Sequence, residues 1–104
     1  MEKIAFKMKL KKGCRDEYIR RHNEIWPELV SLLKDSGIAD YTIFLDHDTD
    51  TLFAVQRQSA EKSSQDLGKE KIVQTWWKHM SDIMETNNDF SPVSIALERV
   101  FHMD

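Results

Sequence analysis

Residues 41–55, Tyr41-Thr42-Ile43-Phe44-Leu45-Asp46-His47-Asp48-Thr49-Asp50-Thr51-Leu52-Phe53-Ala54-Val55, read as two strands around an acidic turn. Tyr41–Leu45 and Leu52–Val55 supply the β-branched and aromatic residues that suit a pleated surface. Between them, Asp46-His47-Asp48-Thr49-Asp50 carries short polar side chains that bond to their own backbone and favour a hairpin turn. Both strands are apolar in both phases, so both faces of the sheet need cover. In a chain of 104 residues helices can cover one face, and a second copy of the chain is the natural cover for the other.

Upstream of the hairpin, Ile4, Phe6, Met8 and Leu10 alternate with Lys7 and Lys9, the period-2 pattern of a strand ended by Lys11-Lys12-Gly13. From Arg15 to Ser36 the period changes: Tyr18, His22, Ile25/Trp26, Leu29 and Leu32/Leu33 recur at helical steps. Pro27 interrupts that pattern, and a proline inside a helix removes a donor and clashes with the preceding turn. Two abutting helices are therefore expected, roughly 14–25 and 27–36, with Pro27 opening the second and Gly37 capping it. Downstream, 59–71 is polar and weakly patterned, at most a short helix broken near Gly68. A firm helix then carries Ile72, Val73, Trp76, Trp77, Met80, Ile83 and Met84, and Val93–Phe101 reads as a last strand. The order β-α-β-β-α-β predicts an α+β, ferredoxin-like fold, an antiparallel sheet with helices on one face, in a single domain over residues 1–104.

Composition narrows the function. Fifteen basic against eighteen acidic side chains give −3, which disfavours nucleic acid, whose phosphates need a basic patch. No apolar run is long enough to span a bilayer, so no membrane partner is expected. The single Cys14 cannot pair internally, and the cytoplasm is the default compartment. Asp46, Asp48 and Asp50 imitate the start of a calcium loop. Its sixth and twelfth positions are Thr51 and Arg57, where Gly and Glu are needed. His22, His47, His79 and His102 lack zinc-ligand spacing, and no phosphate loop is present, so neither metal nor cofactor is expected.

What remains is Tyr18-Ile19-Arg20-Arg21-His22-Asn23-Glu24-Ile25-Trp26-Pro27-Glu28-Leu29, with Tyr41 and the pair Trp76-Trp77. Tyr18 and His22 lie four apart, on one helix face. In the expected fold they converge with Tyr41 from the sheet and an indole from the later helix. Aromatic faces suit the C–H faces of a sugar, phenol and indole hydrogens suit its hydroxyls, and imidazole moves protons near neutral pH. A tyrosine and a histidine on an apolar helical face are more often core than a site, and one of the adjacent tryptophans reads as core or interface. Trp26 reads as a packing anchor, and Arg20, Arg21, Glu24 and Glu28 read as a solvated face. Spacing alone ends at a small α+β domain with an aromatic pocket.

The string Tyr18-x-x-Arg21-His22-Asn23-x-Ile25-Trp26-Pro27-Glu28-Leu29 resembles the signature of the L-rhamnose mutarotases. Tyr41-x-Ile43-x-Leu45-Asp46, Trp76-Trp77-Lys78-x-Met80 and Ser91-Pro92-Val93-Ser94 resemble further blocks of that family, in its order and spacing over essentially the whole chain. The departure is 62–71, which is more polar than in the family and lacks a tryptophan that can occur there, at the outer edge of the pocket. The resemblance implies a homodimeric α+β barrel built from ferredoxin-like chains, acting on L-rhamnose as an isomerase without a cofactor. It implies His22 as general acid, with Tyr18, Tyr41, Trp76 and Trp77 contacting sugar; an imidazolium at His22 donating to the ring oxygen is the mechanism expected on that role. It does not supply the base. The rivals are a cofactor-independent monooxygenase or decyclase of the same fold group and a non-catalytic sugar-binding module.

Overall fold

The computed structural model describes residues 2–59 and 63–104. In chain order it contains β1 (Glu2–Lys9), α1 (Arg15–Asn23), α2 (Pro27–Asp35), β2 (Ile38–Asp46), β3 (Thr51–Gln58), α3 (Lys71–Met80) and β4 (Ser94–Ala96). A short 3-10 turn, Ser64–Asp66, precedes α3. The strands form one antiparallel sheet in the order β2-β3-β1-β4, which is the ferredoxin-like topology. The helices cover one face of the sheet. Phe6, Met8, Leu52 and Ala54 point from the sheet into this layer, against Tyr18, Leu29, Val73, Trp76, Trp77 and Met80 from the helices.

The helix boundaries follow local chemistry. Pro27 stands at the first position of α2, where no backbone donor is needed, and Trp26 before it is extended, as a residue preceding proline prefers to be. Gly37 ends α2 at φ +88°, a left-handed conformation that costs glycine little.

One irregularity in the sheet matters more than the regular ladder. Ile38 pairs with Gln58 and Ala39 with Arg57, but the next pair is Thr42 with Val55. Asp40 and Tyr41 therefore share one opposing residue, Gln56, as in a β-bulge. Asp40 takes φ +48°, a conformation that aspartate tolerates better than most side chains, and its carboxylate lies 3.5 Å from the Arg57 guanidinium. The extra residue reverses the phase of β2. Without it Tyr41 would face away from the helices; with it Tyr41, Ile43 and Leu45 face inward and Phe44 outward.

Three expectations are corrected. The last strand is only Ser94–Ala96, not 93–101. After Leu97 N–H bonds to the Ala5 carbonyl at 2.9 Å, the ladder stops, because β4 is an edge and its apolar residues find no cover within the chain. Val100, Phe101 and Met103 are 78–89% exposed. The last helix ends at Met80, and Ile83 and Met84 are buried in the turns that follow, held where Met84 bridges to Leu10. The 59–71 segment contains a 3-10 turn rather than a frayed helix, with Ser63 and Asp66 forming a reciprocal cap; its residues 60–62 lie outside the described part.

Candidate active site

The helical layer and the inner face of the sheet enclose a cavity of about 1350 Å³ with an open mouth. Tyr18, His22, Tyr41, Trp76 and Trp77, all the site residues expected from the sequence, line it. Each arrives from a different piece of local structure: Tyr18 and His22 from one face of α1, Tyr41 from the bulge in β2, the indoles from the buried side of α3.

Tyr18, His22 and Trp76 form one continuous aromatic run along the wall. Tyr18 stacks on His22 with centroids 4.2 Å apart, and His22 meets Trp76 edge to face at 5.5 Å. Trp26, at 5.0 Å and nearly perpendicular, buttresses Trp76 from behind, which makes it the packing anchor its place before Pro27 implied. Trp77 packs against the backbone of Gly68, where even a Cβ would stand 3.0 Å from the indole ring. Both tryptophans of the pair thus border the cavity, as helical neighbours about 100° apart can when the cavity wraps the helix.

The protonation of His22 can be read from its partner. Nδ1 lies 3.1 Å from the Tyr18 carbonyl oxygen, which can only accept, so Nδ1 carries a hydrogen and donates it. In the neutral ring Nε2 is then an acceptor. Burial pushes the imidazole below its ordinary value of 6.5, and the bond to Tyr18 opposes this only partly. The resting ring is accordingly neutral at pH 7, not the imidazolium that a starting general acid requires. A group in this state must take a proton before it can give one. Burial raises both phenols, Tyr18 and Tyr41, so both keep their hydrogens at neutral pH.

Arg21 differs from the solvated role that its spacing suggested. Its side chain is only 10% exposed. Nε donates to Glu17 at 2.7 Å, and Nη1 donates to the His79 carbonyl at 2.6 Å and to Asp82 at 2.7 Å. It ties α1, which carries Tyr18 and His22, to the end of α3, which carries the tryptophans. Arg20 and Arg21 together hold the Glu17 carboxyl at about 2, below its usual 4.5, and Arg21 also lowers Asp82. A depressed carboxyl stabilises the fold only while ionised. That contribution is complete above about 4.5 and is lost as pH falls toward 2. The melting-temperature gap between the protein and Arg21→Ala should therefore be widest near neutrality and narrow between pH 5 and about 2, down to the part carried by packing and the His79 carbonyl bond. A gap independent of pH would mean that Arg21 acts only through packing and its bond to the His79 carbonyl, not through its carboxylate partners.

Sequence reasoning also passed over Gln56 and Ser64, because neither belongs to a recognisable motif. Gln56 is fully buried beneath Tyr41, and its amide is bonded at both ends to Ser64. An alternating strand with a glutamine at an inward position was the available signal. Among the described residues no three of His, Cys, Asp or Glu lie close enough together to hold a metal ion, and no helix is long and apolar enough to cross a membrane.

The family model for L-rhamnose mutarotase matches residues 3–103. The chain belongs to the L-rhamnose mutarotase family. Relatives described as L-rhamnose mutarotase from Phocaeicola vulgatus and Bacteroides thetaiotaomicron are each 56% identical over 104 residues, covering all of both chains. The crystal structure of an L-rhamnose mutarotase from Formosa agariphila superposes with a TM-score of 0.93 at 51% identity, again over the whole of both chains. Membership agrees with the ferredoxin-like topology and with the family blocks lying around one cavity.

Proposed function

We propose that this chain is an isomerase that interconverts the α and β pyranose anomers of L-rhamnose, with His22 as the proton-transfer residue. The observation that carries this reading is the convergence of Tyr18, His22, Tyr41, Trp76 and Trp77 on one cavity in a chain of this family. Ring opening requires the anomeric hydroxyl to lose a proton and the ring oxygen to gain one. Neutral His22 accepts the proton from the anomeric hydroxyl through Nε2 as the C1–ring-oxygen bond breaks. The imidazolium so formed returns a proton to the ring oxygen. The aldehyde turns about C1–C2, and the reverse steps close the ring on the other face. One proton passes from one oxygen to its neighbour on the same carbon, so a single imidazole serves as base and then acid. Its general-acid role begins only after it has been charged. The indoles offer faces and N–H groups to the sugar, and the phenols hold its hydroxyls.

The test uses crystalline L-rhamnose of one anomeric form, freshly dissolved and followed by optical rotation. The protein should shorten the approach to equilibrium and leave the final rotation unchanged. An unaltered time course with saturable sugar binding would make the site a binding module. Oxygen uptake with an aromatic substrate would favour the monooxygenase reading, which no relative described above supports.

We also propose a homodimer closed through the outer sheet face. There Phe44, Phe53 and Ile95 form a row with Lys7 across three strand pairings, and Phe44 is 61% exposed. A large apolar patch of this kind on a small chain marks an interaction surface. The exposed Val100, Phe101 and Met103 continue beyond the sheet edge, where a second copy would receive them. Sedimentation should give twice the chain mass of 12.3 kDa, and Phe53→Glu should give 12.3 kDa; monomer in both cases would refute the dimer. Cys14, without an internal partner, suits a reducing compartment, and we assign the chain to the cytoplasm as one domain over 1–104.

A further inference from the structure

We infer that Gln56 and Ser64 are positioning residues that fix the direction of the Tyr41 hydroxyl, so that its hydrogen is donated into the cavity. The inference rests on the reading of Tyr41 as a sugar contact and adds the residues that orient it. The chain of bonds has one sense. The Ser64 backbone N–H, which can only donate, bonds to Gln56 Oε1 at 2.9 Å. That fixes the amide orientation, and Gln56 Nε2 must then donate, which it does to Ser64 Oγ at 3.0 Å. Gln65 Nε2 also donates to Ser64 Oγ, at 3.4 Å. A serine hydroxyl has two acceptor positions and one hydrogen. With both positions engaged, the hydrogen remains to be given, and its partner is Tyr41 Oη at 3.4 Å. That separation is long for two hydroxyls, in the range from which contacts at catalytic sites shorten as substrate seats.

Tyr41 Oη therefore accepts from Ser64, and the phenol hydrogen is left for a sugar oxygen. The β-bulge is what makes this possible, because it alone sets Tyr41 opposite Gln56 on the inner face. Gln56 is wholly buried and Ser64 nearly so, so neither amide nor hydroxyl can be satisfied by bulk water instead. Together with the neutral Nε2 of His22, the cavity then presents one fixed acceptor and one fixed donor to neighbouring sugar oxygens.

A double-mutant cycle tests this, with catalysed anomer exchange and melting temperature measured for Ser64→Ala, Tyr41→Phe, both together, and Ser64→Thr. Ser64→Ala should lower exchange about tenfold, the size of one lost hydrogen bond of this kind. In the Tyr41→Phe background it should lower exchange no further, and Ser64→Thr, which keeps a hydroxyl, should restore most activity. Equal losses in both backgrounds would show that Ser64 only holds its turn, and would overturn the inference. So would full activity of Ser64→Ala beside an impaired Tyr41→Phe. An unimpaired Tyr41→Phe would overturn the sugar-contact role of Tyr41 and the inference with it.

Discussion

Replacing His22 with alanine should lower catalysed anomer exchange by about 10²–10⁴-fold, the usual contribution of a positioned proton-transfer group. The fold should persist. His22 is half-buried, and its ring bonds only to a carbonyl on its own helix, so truncation orphans no distant partner. Indistinguishable circular dichroism beside the lost rate would separate chemistry from collapse; full activity in the folded variant would remove His22 from the mechanism. The pH profile gives a second readout. Because burial depresses the imidazole, the proton-accepting form prevails at neutral pH and is lost only as pH falls through a value below 6.5. Exchange should accordingly be level through neutrality and decline on the acid side. A decline on raising pH through 6–7 would instead require an imidazolium in the resting protein. The same shift links to stability: the unfolded chain binds the His22 proton first, so acidification below about 6.5 also favours unfolding.

Trp76→Ala should be the most costly single change around the cavity. Truncating a buried tryptophan costs about 3–5 kcal/mol. Trp76 is 8% exposed and touches the rings of His22, Trp26 and His79, so three aromatic neighbours lose a common surface. For a domain of this size that corresponds to a fall in melting temperature of roughly 15 °C or more. Sugar affinity should fall with it, since His22 loses the ring it abuts. Trp76→Phe keeps a face but not the indole N–H, and should recover most of the stability while still binding sugar less well. A melting temperature within a few degrees of the parent for Trp76→Ala would show that Trp26 and His79 close over the gap.

The two helices at Pro27, the hairpin at 46–50 and the inward alternation of β1 were legible in the sequence because each rests on local rules. The convergence of Tyr18 with His22 follows from a four-residue step on one helix. The bulge was not legible: Asp40 before Tyr41 looks like any polar residue at a strand end, and only the pairing of Thr42 with Val55 reveals the extra residue. Gln56 and Ser64 escaped for the same reason, since their meaning lies in a pairing across eight residues and a buried hydroxyl. The burial of Arg21 is not legible, because a helical wheel cannot show that Asp82, 61 positions away, stands beside it. The strand ends at Ala96 although the apolar pattern runs over 93–101, because that pattern marks apolar surface and says nothing about whether the surface is covered within one chain.

Proton NMR saturation transfer between the two anomeric signals of L-rhamnose at equilibrium addresses the proposed reaction most directly. Saturating one signal should attenuate the other at a rate that rises in proportion to catalytic amounts of protein, with the anomer ratio unchanged. An exchange rate equal to that of the sugar in buffer alone, at protein concentrations where binding is visible, would contradict the proposed activity.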